Sequence, residues 1–362
     1  MVEWKKLGEV CKTVSPPKKL EKELYGNVGL YPIIDQGQKE IVGFTDDLTA
    51  LLPYGEYVLF GDHTRFVKYY RGKFAQGADG LKILKANESI IPRYFFYVFD
   101  NTEVPSRGYS RHWSIAKQLL IPIPSLSEQQ RIVSILDTFT SSISNLKQQI
   151  EERRKQYEYE RDLLLDLEGK EGVEMKKLGE VGDICMCKRI MKDQTSEKGD
   201  IPFFKIGTFG GKADAYISRE LFEDYKEKYS YPKKGEILIS AAGTIGRTVV
   251  FNGEDAYFQD SNIVWISNNE QLVLNTFLRY LYGVIDWKID GGTIKRLYNY
   301  NLKNATIYVP TLQAQSRIVS ILDTFEQSIS NLEEQLAMRE KQYEYYREKL
   351  LTFEGEEERG KT

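Results

Sequence analysis

Arg131-Ile-Val-Ser-Ile-Leu-Asp-Thr-Phe139 returns unchanged as Arg317-Ile-Val-Ser-Ile-Leu-Asp-Thr-Phe325. Around it the register holds: Ser142-Ile-Ser-Asn-Leu146 matches Ser328-Ile-Ser-Asn-Leu332, and Lys155-Gln-Tyr-Glu-Tyr159 matches Lys341-Gln-Tyr-Glu-Tyr345. Lys6-Leu-Gly-Glu-Val10 and Lys177-Leu-Gly-Glu-Val181 mark where each copy begins. The chain is therefore two tandem copies of one unit, each a globular segment followed by a long helix. Two like halves present two like binding surfaces.

The helical parts carry the stronger signal. Apolar residues fall at Ile132, Leu136, Phe139, Ile143, Leu146, Ile150, Tyr157, Leu164 and Leu167, alternating four and three apart as in a coiled-coil seam. Arg153 and Glu160 occupy two seam positions, and Arg339 is the polar step of the second copy. Pro122, Pro124 and Pro310 stand just before the helices, where proline is tolerated. Ser125-x-x-Glu128 is a candidate capping box; the second copy has Thr311-x-x-Ala314. Each helix of about 40 residues spans about 60 Å, and a single apolar stripe of that length needs a partner. The expected partner is the other copy in the same chain, running antiparallel in a pseudo-two-fold arrangement. A coiled coil between two chains is the alternative.

Each globular segment of roughly 120 to 130 residues is long enough to bury a core. Both show short β-type runs broken by Gly, Asn and Asp. In the first, Tyr57–Phe60, Phe66–Tyr70 and Leu81–Leu84 read as strands, and Pro92–Phe99 as a helix or a buried strand. In the second, Glu236–Ser240, Arg247–Phe251 and Ile263–Ser267 form the corresponding set, with a helix near Leu274–Tyr282. The shared frame is Gly55-Glu-Tyr-Val-Leu59 against Gly235-Glu-Ile-Leu-Ile239, with Thr64 near Thr244 and Gln76 near Gln259. Elsewhere the two segments differ greatly. Near-duplicate helices beside divergent domains suit helices with one job and domains that read two different things. The fold class is α+β, two α/β domains in tandem: domain 1 over 1–123, helix 1 over 124–169, domain 2 over 170–309, helix 2 over 310–356, and an acidic tail over 357–362.

The 41% hydrophobic content is that of an ordinary globular protein, and no apolar run approaches the roughly 18 residues a membrane span needs. The N-terminus lacks an apolar signal region, so a cytoplasmic location is expected. Three cysteines are too few for a disulfide framework. Cys185 and Cys187 lack zinc-site spacing and read as alternate faces of a strand, so no metal is expected. No P-loop, dinucleotide fingerprint, nucleophile elbow or adenine-methylase motif is present. Gly243-Thr-Ile-Gly246 reads as a tight turn between strands. Both histidines lie in the first copy, so no repeated histidine site exists. No catalytic residue and no cofactor is expected. The net charge of −3 hides local basic stretches at 61–85 and 176–192, compatible with DNA contact.

These residues resemble the specificity subunit of type I restriction-modification enzymes over nearly the whole chain. The resemblance rests on Ile121-Pro-Ile-Pro-Ser-Leu-Ser-Glu-Gln-Gln-Arg-Ile-Val-Ser-Ile-Leu-Asp137, on Val309-Pro-Thr-Leu-Gln-Ala-Gln-Ser-Arg-Ile-Val-Ser-Ile-Leu-Asp323, on Gly235-Glu-Ile-Leu-Ile-Ser240 with Gly243–Gly246, and on Gly291-Gly-Thr-Ile-Lys-Arg-Leu297. It implies two target-recognition domains, each reading one half of a bipartite, asymmetric site on double-stranded DNA. It implies helices that act as spacer and dock two methylase subunits, restriction/translocase subunits in the full complex, and no activity in the chain itself. From the residues alone, a two-headed protein-binding scaffold is the alternative. The candidate DNA contacts are polar, long or aromatic residues on loops. In copy one they are His63, Thr64, Arg65, Arg107, Tyr109, Arg111 and His112. Counted from the helix starts, Arg107–His112 overlay Thr293–Tyr298, so copy two offers Thr293, Lys295, Arg296 and Tyr298, plus Thr244 and Arg247. Arginine to guanine and amides to adenine are the expected pairings.

Overall fold

The repeated nine residues do three jobs at once, and these organise each half of the protein. In a computed structural model that describes residues 2–77, 79–108, 110–289 and 295–353, the chain forms two units. Unit 1 takes Met1–Gln148 and the chain from Glu333 onward; unit 2 takes Gln149–Leu332. Tyr109, Thr293 and the tail over 357–362 lie outside the described residues.

Unit 1 runs β1 (Glu3–Lys6), β2 (Cys11–Val14), β3 (Tyr31–Ile34), β4 (Gly43–Thr45), β5 (Leu51–Gly61), β6 (Val67–Gln76), β7 (Leu81–Ala86), α1 (Pro92–Asp100), α2 (Trp113–Ala116), β8 (Leu120–Ile123) and the first part of α3 (Leu126–Leu165). Six strands form one sheet in the order β2-β7-β5-β6-β3-β4, and β1 pairs separately with β8. The segment open to two readings, Pro92–Phe99, is helical. Proline sits in the first turn, where its missing N–H costs nothing, and Tyr94, Phe95, Val98 and Phe99 form one buried helical face.

Unit 2 runs from the rest of α3 through β9 (Glu174–Lys177), α4 (Leu178–Val181), β10 (Gly182–Cys185), β11 (Ile201–Phe204), β12 (Ala215–Ile217), α5 (Arg219–Lys228), β13 (Ile237–Ser240), β14 (Thr248–Val250), β15 (Tyr257–Phe258), β16 (Ile263–Asn268), α6 (Asn275–Tyr282), α7 (Asn299–Asn304) and β17 (Thr306–Val309) into α8 (Leu312–Leu351). The order β10-β16-β13-β14 repeats β2-β7-β5-β6, and β17 pairs with β9 as β8 does with β1. The remaining strands form a separate sheet, β12-β11-β15. The long β6 is represented here by β14 and β15, and the chain between them leaves the ladder, which splits one sheet into two. Cys185 ends β10, so the expected strand does not reach Cys187, which is buried beyond it.

The repeat's first job is core formation. Ile132, Val133 and Leu136 enter the core of unit 1, and Ile318, Val319 and Leu322 that of unit 2. Val133 and Val319 lie off the expected seam because the first turns of each helix face a globular domain as well as a helix. The second job is anchoring. Asp137 accepts from Arg93 Nε at 2.7 Å and from the Tyr97 hydroxyl at 2.5 Å, while Asp323 accepts from the Tyr280 hydroxyl at 2.5 Å. The third job is the seam. In unit 1 the guanidinium of Arg339 lies 5.6 Å from the Phe139 ring centre, and in unit 2 that of Arg153 lies 5.8 Å from Phe325. The two arginines that interrupt the apolar stripe thus lie over the aromatic residue that closes each repeat.

In unit 1 the start of α3 packs with the end of α8: Phe139 stacks on Tyr346, Lys147 pairs with Glu340 at 2.9 Å, and Leu351 enters the core. In unit 2 the end of α3 packs with the start of α8, with Tyr157 near Phe325 and bonded to Glu326. Both pairings are antiparallel and within one chain. The helices end at Leu165 and Leu351, earlier than expected; Leu167 lies past α3 but is still buried in the core of unit 2. No helix among the described residues is long and apolar enough to cross a membrane.

Candidate nucleic-acid interface

In unit 1, four loops meet beside the ends of β3, β5, β6 and β7. Gln36, on the loop after β3, ties three of them. Its Oε1 accepts from the His63 amide at 3.2 Å, its Nε2 donates to the Asp79 carbonyl at 3.2 Å, and its own carbonyl accepts from the Thr64 hydroxyl. Gly61 and Gly80 line this junction: a Cβ on Gly80, whose φ is +101°, would stand 2.5 Å from Gln36 Oε1. The ammonium of Lys68 donates to the carbonyls of Asp35 and Lys39, and burial pulls its pKa down. The fourth loop, 105–112, is pinned by His112. This side chain is 1% exposed; its Nε2 accepts from the Arg107 amide at 3.1 Å, and its Nδ1 lies 3.0 Å from the Asp62 carbonyl.

The candidates therefore sort by geometry. Arg107 and Arg111 are exposed on the loop that His112 holds, while His112 itself is enclosed. Thr64 is half-buried and spends its hydroxyl on Gln36. Arg65 is exposed and left-handed (φ 64°), with one Nη donating to the Val104 carbonyl at 3.0 Å. His63 is half-buried in the same turn. Lys19 ion-pairs with Asp79 at 2.5 Å. That ammonium holds the Asp79 carboxyl below the usual range, and Arg111 and Lys82 add to the effect.

Unit 2 builds the same end of its sheet. Ser240 organises the β13–β14 turn: its Oγ donates to the Thr244 carbonyl and accepts from the Arg247 amide. Gly243 and Gly246 both have positive φ, as a tight turn requires. Thr244, Arg247, Lys295 and Tyr298 are exposed. Arg296 is half-buried, and its Nη2 donates to the Ser261 carbonyl at 2.9 Å, Ser261 Oγ at 2.8 Å and Asn262 Oδ1 at 3.0 Å. The Leu297 amide donates to the Ala241 carbonyl as the His112 amide does to Asp62. Arg111 therefore corresponds to Arg296, one position off the overlay counted from the helix starts. The Gln pair shifts likewise: Gln259, whose amide reaches the Phe204 carbonyl, corresponds to Gly77, whose amide reaches Ile34. Beside Arg296 opens a cleft of about 480 Å³, lined in part by Arg189, Lys192, Lys205 and Gln259.

The sequence model of the type I restriction modification DNA specificity domain matches residues 1–153 and, again, 170–338. The chain belongs to this family. A putative type I restriction enzyme specificity subunit of Haemophilus influenzae is 44% identical, over 97% of this chain and 96% of the relative. The specificity subunit of the EcoR124I and EcoR124II enzymes of Escherichia coli is 29% identical, over 97% of this chain and 94% of its own. A crystal structure of a type I restriction-modification S subunit from M. genitalium shares the fold, with a TM-score of 0.65 at 17% identity over 98% of this chain and 96% of that one.

Sequence reasoning missed a second frame in the two specificity domains. Lys22, Gly29, Pro32 and Gly37 recur at the same spacing as Lys192, Gly199, Pro202 and Gly207. A short 3-10 turn begins at each lysine, Lys22–Leu24 and Lys192–Gln194. Isolated bridges Gly26↔Phe44 and Ser196↔Tyr216 then close both loops identically. The signal was present as spacing, without an apolar period to expose it. Lys19, three residues before the first shared lysine, was missed with it, and Arg189, three before the second, was read only as part of the basic stretch 176–192.

Proposed function

We propose that this chain is the DNA-specificity subunit of a type I restriction-modification complex. Residues 1–123 and 170–309 act as two target-recognition domains, each reading one half of a bipartite, asymmetric duplex site. Residues 124–169 and 310–356 act as the spacer and as docking surface for two methylase subunits. Restriction and translocation subunits join the full assembly, and methylation and cleavage are the work of these partner subunits rather than of this chain. The complex acts in the cytoplasm.

One observation carries this reading. Two units of matching topology place exposed polar and basic side chains at the same end of the same sheet, Arg107 and Arg111 in one, Thr244, Arg247 and Lys295 in the other. Loops on a rigid frame are where binding residues collect. Arginine presents a fork matched to guanine O6 and N7 or to phosphate. The test is duplex binding by the chain assembled with its methylase, across a salt series. The expected outcome is sequence-specific binding that weakens steeply with salt. Binding without sequence preference, or binding indifferent to salt, overturns the proposal.

A further inference from the structure

The two recognition domains differ over most of their surface, yet one corner gathers the same kinds of group in both. Each has a cation tied to an acid on the turn after β6 or β15, with Asp260 one residue before Ser261, the position that matches Asp79. In unit 2, Arg189 and Arg296 approach the turn Gln259–Asn262. Arg189 Nε donates to Asp260 Oδ2 at 2.9 Å, and Arg296 Nη2 donates to Ser261 and Asn262. In unit 1, Lys19 donates to Asp79 at 2.5 Å on the turn Gly77–Gly80. Arg111 is exposed beside the same turn, next to His112, whose amide reaches the carbonyl of Asp62, itself bonded to Gly80. Each corner thus sets an ion-paired cation and a second base around one turn; in unit 1 Lys82 stands there too, paired with Asp62 at 3.5 Å.

An exposed ion pair contributes little to stability, so stability does not explain why it recurs. The Arg189 side chain is 65% exposed and Asp260 19%. The tether uses one of the five guanidinium donors and leaves the fork at the surface. Nearby positions differ sharply: where unit 1 has Asp35 at the end of β3, unit 2 has Lys205 at the end of β11, paired to Asp214 at 2.8 Å. Opposite charges cannot serve one common ligand. What the two domains share must face what two different half-sites share, and that is the sugar–phosphate backbone.

We propose that Lys19 with Arg111, and Arg189 with Arg296, form matching clamps for the DNA backbone, which fix each domain on the duplex and read no sequence. This rests on the proposed function above. The carboxylates of Asp79 and Asp260 hold the cations in place before DNA arrives, so less side-chain freedom is lost on binding.

The experiment uses the full chain assembled with its methylase, and the duplex motif found by methylome sequencing. Arg189→Ala and Lys19→Ala each remove one phosphate contact. The slope of log affinity against log salt should become shallower by about 0.9 per contact. The affinity lost between 50 and 200 mM salt then shrinks by about 3.5-fold per contact. The methylated motif should stay the same, and matched and mismatched duplexes should weaken equally. Arg189→Lys should retain the slope, which separates lost charge from lost fold. A changed motif overturns the clamp by making the residue a base reader. An unchanged slope with unchanged affinity overturns it by returning the residue to plain surface. A wild-type complex without salt-dependent specific binding fails differently, because it refutes the proposed function as well.

Discussion

Gln129→Ala should loosen unit 1 far more than its place on a helix surface pattern suggests. Gln129 is 0% exposed, at the start of α3. Its Oε1 accepts from the Ile91 amide at 2.8 Å, and its Nε2 donates to the carbonyls of Pro124 at 2.9 Å and Ser89 at 3.3 Å. One side chain thus binds the entry of α1, the turn before it and the entry of α3. Gln315 makes the equivalent bonds in unit 2, to the Leu274 amide and the carbonyls of Pro310 and Leu272, all at 2.8 Å. Truncation strands buried backbone groups at about 1–3 kcal/mol each, so with partial relaxation the total should be about 2–5 kcal/mol. For a unit of this size, a loss of about 3 kcal/mol lowers its melting temperature by about 6–12 °C. Thermal unfolding gives the size, and hydrogen exchange gives the place: the Ile91 amide should lose protection in Gln129→Ala while Leu274 keeps it. Gln315→Ala should reverse the pattern. A loss below about 1 kcal/mol, or equal loss of protection at both amides, refutes the reasoning.

Three further outcomes follow from the same geometry. Glu236 is 3% exposed, and burial pushes its carboxyl pKa up despite the Lys233 amide at 2.7 Å. A raised folded-state value means the ionised form costs stability; the cost is absent below the unfolded value of about 4.3 and present above the folded one. Glu236→Gln should therefore stabilise unit 2 most at neutral pH, with the gain closing as pH falls towards about 4.3, as measured by urea midpoints. A double-mutant cycle on Arg339 and Phe139 should return a coupling of about 0.5–1 kcal/mol, and zero coupling would leave the seam to its apolar residues. One heptad inserted in each of α3 and α8 keeps the seam in phase and lengthens each helix by about 10 Å. The unread spacer of the methylated motif should then grow by about three base pairs at about 3.4 Å each, and an unchanged spacer with full methylation would remove the helices' part in spacing.

The helices and the two-copy plan were legible because a seam is periodic and the copies match letter by letter. The strands were legible where apolar β-branched runs recur in both copies, as in β5 to β7 and in β13, β14 and β16, and not in the short pieces outside that frame, such as β3, β4, β11 and β12. Pairing order was illegible, since β3 meets the end of β6 across a long stretch of sequence. At the candidate interface, Arg107 and Arg111 were read as exposed, and they are. His112 was read from its polar type and loop context, but histidine is found both inside and outside proteins. Its burial follows from the Asp62 and Arg107 backbone groups it satisfies, which no local pattern encodes. Gln129 and Gln315 stood at matching positions beside the repeat, and the sequence held no sign that they are enclosed.

The central claim is that each domain reads its own half of one target. The most direct measurement replaces residues 1–123 with the corresponding domain of a relative that methylates a different motif, and maps the methylated sites of cells carrying the hybrid and its methylase. The account predicts a motif in which one half changes, while the other half and the spacer length stay as they were. A motif changed in both halves, or in neither, would contradict it.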